Sequence, residues 1–210
     1  FKTGLCLDEE LKKKTNFTHA NESYNMLKER GVKDKNILLP IRYHDVRDFA
    51  ETMKQDEDFG KLTAHEQEVI MFYGNMILDA DKMSNILEVS QKGLKGRLEL
   101  MDPQYKPEAR ISPKVKEVIL SGKNPNKDDE NTRADALVRF ATWTKTLSFE
   151  ASRNVAKKYM EGIFNHVRKE MNPDNNKEEF TKDINEIYEY LKNFQKGGKN
   201  IKHSNTIERS

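Results

Sequence analysis

Cysteine is nearly absent: Cys6 is the only one in 210 residues. A single thiol can form no intrachain disulfide and can build no zinc site of the cysteine type. Disulfide-scaffolded secreted domains are thereby excluded, and a reducing compartment, the cytoplasm, is expected. Long apolar runs are lacking too. The longest are Ile37-Leu38-Leu39-Pro40-Ile41 and Val69-Ile70-Met71-Phe72-Tyr73, far below the roughly 20 apolar residues of a membrane-spanning helix. No membrane partner is expected. There is little excess of one charge: 37 Lys and Arg face 35 Asp and Glu, leaving +2. That balance gives no broad positive field of the kind that binds nucleic acid in bulk. No glycine-rich phosphate loop is present, and no segment alternates apolar and polar side chains as a half-buried strand does.

What is there is helical periodicity over most of the chain, at a length suited to one domain with a helical appendage. The pattern predicts helices over 19–30, 35–55, 63–92, 113–121, 131–146, 149–170 and 177–195. Thr63 followed by Glu66 has the form of a capping box, and Ser112-Pro113 places a cap residue before a proline at the first helical position. Ser148 is the expected cap of the helix that follows it. No heptad is sustained, so the expected fold class is all-α, a globular helical bundle rather than a coiled coil. Trp143, beside the Leu137, Phe140 and Ala141 stripe, is expected to be a packing residue. The tail from Lys199 to Ser210 has few apolar anchors and follows Gly197-Gly198, so it is expected to be loose and to take no part in a site. The chain opens on Phe1 rather than Met, and the natural translation start is expected upstream of it.

Five histidines could carry chemistry. His65, His166 and His203 read as solvated or structural residues. His19 and His44 have more suggestive neighbours, and so does the run Ile77-Leu78-Asp79-Ala80-Asp81-Lys82-Met83-Ser84-Asn85. Asp79 and Asp81 are two residues apart and project about 200° from one another on a helix. One of them is expected to face inwards, and a buried carboxylate needs cationic groups, a metal or other partners. Asp81 and Asn85 are four apart and share a face. Taken by itself, the run also reads as a solvated helix face with Lys82. Arg42-Tyr43-His44-Asp45 likewise reads as the polar face of an amphipathic helix.

Taken together, Thr18-His19-Ala20 with Tyr24 and Leu27, then ILLPIRYH ending at His44, then DADKMSN from Asp79 to Asn85, resemble an HD-domain metal-dependent phosphohydrolase of the small bacterial branch. The resemblance covers roughly residues 1–170. It implies an HD-like helical domain over 1–170, with its first helices expected upstream of Phe1 in the register favoured below, and a C-terminal helix in 171–198 packed on it. In that superfamily an upstream His, a His-Asp pair and a later Asp hold a divalent ion, and many members add two further histidines for a second ion. Two registers follow. In the favoured one, His19 and His44 match the additional histidines and Asp81 the last ligand, while the first His and the His-Asp pair lie before Phe1. In the other, His19 is the first His and His44-Asp45 is the pair, with Asp45 a ligand. The 36 residues from Asp45 to Asp81 are then short for the family. The cofactor implied is Mn, Fe, Co or Mg, ions suited to imidazole and carboxylate. The activity implied is cleavage of a phosphoester or phosphoanhydride in a nucleotide-like substrate. Lys82 would have a catalytic role, with Arg42 and Asn85 binding substrate. The alternative is a catalytically degenerate HD-fold protein that binds a nucleotide or a protein partner. Self-association is left open.

Overall fold

Side-chain caps set where many of the helices begin. In the computed structural model, which describes residues 19–46, 48–93 and 105–194, nine α-helices are found among those residues. They are α1 (His19–Glu29), α2 (Lys35–Tyr43), α3 (Phe49–Gln55), α4 (Glu57–Gly60), α5 (Ala64–Lys92), α6 (Pro113–Leu120), α7 (Arg133–Thr142), α8 (Glu150–Met171) and α9 (Glu178–Asn193). Asp34, Asp48 and Asp56 each accept a backbone N–H at the start of α2, α3 and α4. Thr63 and Glu66 form the expected capping box of α5, and Thr132 with Asp135 forms another on α7. Each cap satisfies amides that have no partner within the helix. No strand occurs among the described residues; one isolated parallel bridge joins Lys106 to Thr132. The fold is all-α.

The short α4 falls between two expected helices and was not among them, and the helices differ from the periodicity reading elsewhere too. The segment expected as one helix over 35–55 is two, because the chain leaves α2 at His44 and a new cap at Asp48 starts α3. The expected helix over 131–146 ends as a 3-10 turn, Trp143–Lys145. Ser148 and Ser112 do not cap with their side chains: Ser148 Oγ meets Asn75 Oδ1 at 3.2 Å, and Ser112 Oγ donates to Asp135 at 2.5 Å. Cys6, His203, the segment before His19 and the 199–210 tail lie outside the described residues.

Two apolar clusters form the interior, and α5 runs through both. Its first half supplies Ile70 to a smaller cluster with Leu39, Phe49, Met53 and Phe59. Its second half supplies Ile86 and Val89 to a larger cluster built with α6, α7, α8 and α9. Phe180, Ile184, Ile187 and Leu191 bring α9 into the larger cluster, so the C-terminal helix is packed on the rest. Trp143 packs against the same cluster, its ring edge-on to Phe140 at 4.9 Å. No helix among the described residues is long and apolar enough to cross a membrane.

Candidate functional site

The turn after α1 decides which residues meet. Gly31 takes φ +85°, a left-handed conformation that costs glycine no Cβ clash. Gly31 N donates to Lys28 O at 2.9 Å and Val32 N to Leu27 O at 3.0 Å, closing the helix in the manner of a Schellman end. Asp34 then accepts from Asn36 N at 2.8 Å and starts α2. The result is an antiparallel helical hairpin, so the first residue of α1 lies beside the last turn of α2. Those two positions are His19 and His44. Their ring centroids are 4.8 Å apart at 68°.

His44 is held in one orientation by the chain itself. Its Nδ1 lies 2.7 Å from Ile41 O. A carbonyl can only accept, so Nδ1 carries the proton and Nε2 is left as the basic nitrogen. Metal-binding histidines commonly use this arrangement to fix the tautomer that binds. The separation of the rings matches ordinary edge-to-face packing. Two neighbouring imidazoles are also a donor set of the kind that divalent ions such as Mn, Fe and Co accept.

Asp81, Lys82 and Asn85 lie on α5. Asp81 is exposed; Lys82 and Asn85 are half-buried. Asn85 Nδ2 donates to the backbone O of Asp81 at 2.8 Å, so its amide engages its own helix. The inward acid of the pair is Asp79, 3 % exposed. Its two oxygens accept from Ser148 N at 2.8 Å and Phe149 N at 3.0 Å. It caps α8 from outside, which is the partner that a buried carboxylate requires. Asp45 is half-buried in the turn after α2. Among the described residues no three His, Cys, Asp or Glu side chains gather closely enough to hold a metal ion. The fold thus joins His19 to His44 without adding Asp81 or Asp45 to a three-ligand set. His65 is exposed, and His166 pairs with Glu170 at 2.9 Å.

Arg42 belongs to a different cluster. Its guanidinium lies 5.1 Å from the ring centroids of both Tyr24 and Tyr43, a cation–π arrangement. It also lies 3.5 Å from Asp56 Oδ2, which accepts from the Tyr43 hydroxyl at 2.6 Å. Burial works against the Asp56 charge. The hydrogen bonds from Tyr43 and from the Phe59 backbone, with Arg42 nearby, nevertheless hold the carboxyl below its usual range. Burial, together with that bond to Asp56, pushes the Tyr43 hydroxyl up to about 12. This cluster ties α1, α2 and the start of α4 together. Sequence reasoning passed over Asp56, although an Asp three residues before the Phe59 amide carries the signature of a helix start.

No protein-family model, curated protein or solved structure matches the chain. The functional reading therefore rests on the side chains and their geometry.

Proposed function

We propose that the chain is an HD-type metal-dependent phosphohydrolase acting on a phosphoester or phosphoanhydride of a nucleotide-like substrate. One observation carries the reading: His19 and His44, 25 residues apart in sequence, meet ring to ring at the open end of a helical hairpin. Amphipathic packing accounts for the apolar faces of α1 and α2 and does not require two imidazoles at their ends. His19 and His44 would be ligands of a divalent ion, with Asp81 the acidic ligand that the resemblance implies. When bound, such an ion supplies a hydroxide nucleophile at neutral pH and polarises a phosphoryl oxygen. The protein's own part is to hold the His44 proton at Nδ1 so that Nε2 stays available. It would also place the Lys82 ammonium where charge on phosphate can be offset, with Arg42 and Asn85 toward the substrate.

Both registers use His19, His44 and Asp81 and differ on Asp45, a ligand only in the second; among the described residues no three such side chains gather closely enough to hold an ion. That same observation favours a second reading, an HD-fold protein that binds a nucleotide or a protein partner without hydrolysing it. Under either reading we place the protein in the cytoplasm.

The test is to load the full chain with Mn²⁺ or Co²⁺ and assay it against a nucleotide panel and a general phosphatase substrate. The first reading expects metal-dependent release of phosphate. It also expects His44→Ala to lower the rate by about 100-fold or more, beyond the loss typical of an outer-sphere partner, with helicity unchanged. Absence of hydrolysis with saturable nucleotide binding would favour the second reading.

A further inference from the structure

Lys145 is an unusual place for a lysine. The residue is 6 % exposed, in the 3-10 turn that ends α7. Its Nζ donates to one acceptor, Lys123 O, at 2.8 Å. It sits 5.8 Å from the Tyr190 ring and 5.5 Å from the Phe194 ring. An ammonium has three protons to donate, and one carbonyl with two aromatic faces leaves it without a counter-charge. No carboxylate stands within ion-pair distance of it among the described residues. Asp129, which lines the same cavity, accepts from Asn126 N at 2.8 Å. Buried charges are ordinarily paired.

Lys145 lines a cavity of about 590 Å³ whose wall also includes Lys114, Lys123, Asp129, Val118 and Phe194. The volume lies in the range of small-molecule sites. Lys114 is paired with Glu117 at 3.6 Å, which leaves Lys123 and Lys145 against one aspartate in the wall, a positive balance. Val118 and Phe194 provide an apolar side, and Phe194 a flat ring. Burial lowers the Lys145 pKa to about 8, so the group is still mostly charged at neutral pH and would gain from an anion beside it. None of α1 or α2, which carry the histidine pair, contributes to this wall.

We propose that this cavity is a second ligand site, for a small organic anion whose carboxylate or phosphate pairs with Lys145 while its apolar part lies on Val118 and Phe194. The site is independent of the His19–His44 pair. The experiment is a titration of the full chain with inorganic phosphate and, separately, acetate, followed by backbone amide chemical shifts. The expected result is a saturable shift confined to Lys123, Asn124, Lys145 and Thr146, for one anion more than the other. That shift should be abolished in Lys145→Met and unchanged in His44→Ala. In the wild-type chain, the same anion should slow reductive methylation at Lys145 while leaving exposed lysines unaffected, so the proposal stays testable if Lys145→Met does not fold. Shifts spread over surface lysines, an equal response in folded Lys145→Met, or methylation of Lys145 indifferent to both anions would overturn it.

Discussion

Asp79 and Asp81 show how two residues of one type, two positions apart, acquire opposite roles. Asp79 is buried against the two amides just before α8, those of Ser148 and Phe149, and Asp81 faces water. Replacing Asp79 by Ala strands two inward-facing backbone N–H groups and removes a helix cap. The expected loss is about 2–4 kcal/mol of stability, read by urea unfolding. Asp81→Ala should cost less than about 0.5 kcal/mol, as for other exposed sites. Lys145 gives a pH-dependent prediction. Its pKa is about 8 folded, against an ordinary 10.5 unfolded. Below pH 8 both states hold the proton and burial of the charge is felt in full. Between pH 8 and 10.5 the unfolded chain binds more protons than the folded one, so stability rises with pH. The Lys145→Met variant lacks this term. Its stability relative to wild type should therefore be highest near pH 7 and fall by up to roughly 3 kcal/mol by pH 11. A constant difference across that range would contradict the burial account.

At the scale of elements, α5 and α8 form the central pair, and their closeness depends on a glycine. A Cβ at Gly162 would fall 2.2 Å from Ser90 Oγ and 2.9 Å from the Ser90 backbone O. The hydroxyl can turn away, but the carbonyl cannot without moving the helix. Gly162→Ala is expected to destabilise by about 1–3 kcal/mol, against a gain in helix propensity of nearly 1 kcal/mol; thermal unfolding measures the net loss. Most elements were legible in the sequence because their apolar spacing is strong and their caps are local. Thr63 and Glu66 mark the start of α5 without any tertiary information. The break between α2 and α3 was harder to see. Polar Arg42-Tyr43-His44-Asp45 continues a helical pattern that masks the cap at Asp48, and the tertiary bond of Tyr43 to Asp56 holds the end of α2 against the start of α4. The cap of α8 was illegible for a similar reason. It comes from Asp79, 69 residues before Ser148, and no local motif announces a cap supplied from another helix.

For the whole molecule, α5 passes from the smaller apolar cluster to the larger, and the histidine pair and the Lys145 cavity belong to different halves of that arrangement. The proximity of His19 and His44 was legible only through the resemblance, which pairs them on one ion; the turn at Gly31 that brings the ends of α1 and α2 together is seen in the structure. The burial of Lys145 was not. A lysine between Thr144 and Thr146 carries no sign that two aromatic residues of α9 and its end will cover it. The central claim is that His19 and His44 act as one metal-binding pair. The most direct measurement is a titration of the full chain with Mn²⁺, observing the imidazole proton resonances of the histidines. The account predicts that His19 and His44 broaden first and together at substoichiometric metal, while His65 and His166 stay sharp. Uniform broadening of all the histidines, or sharp His19 and His44 resonances in excess Mn²⁺, would contradict it.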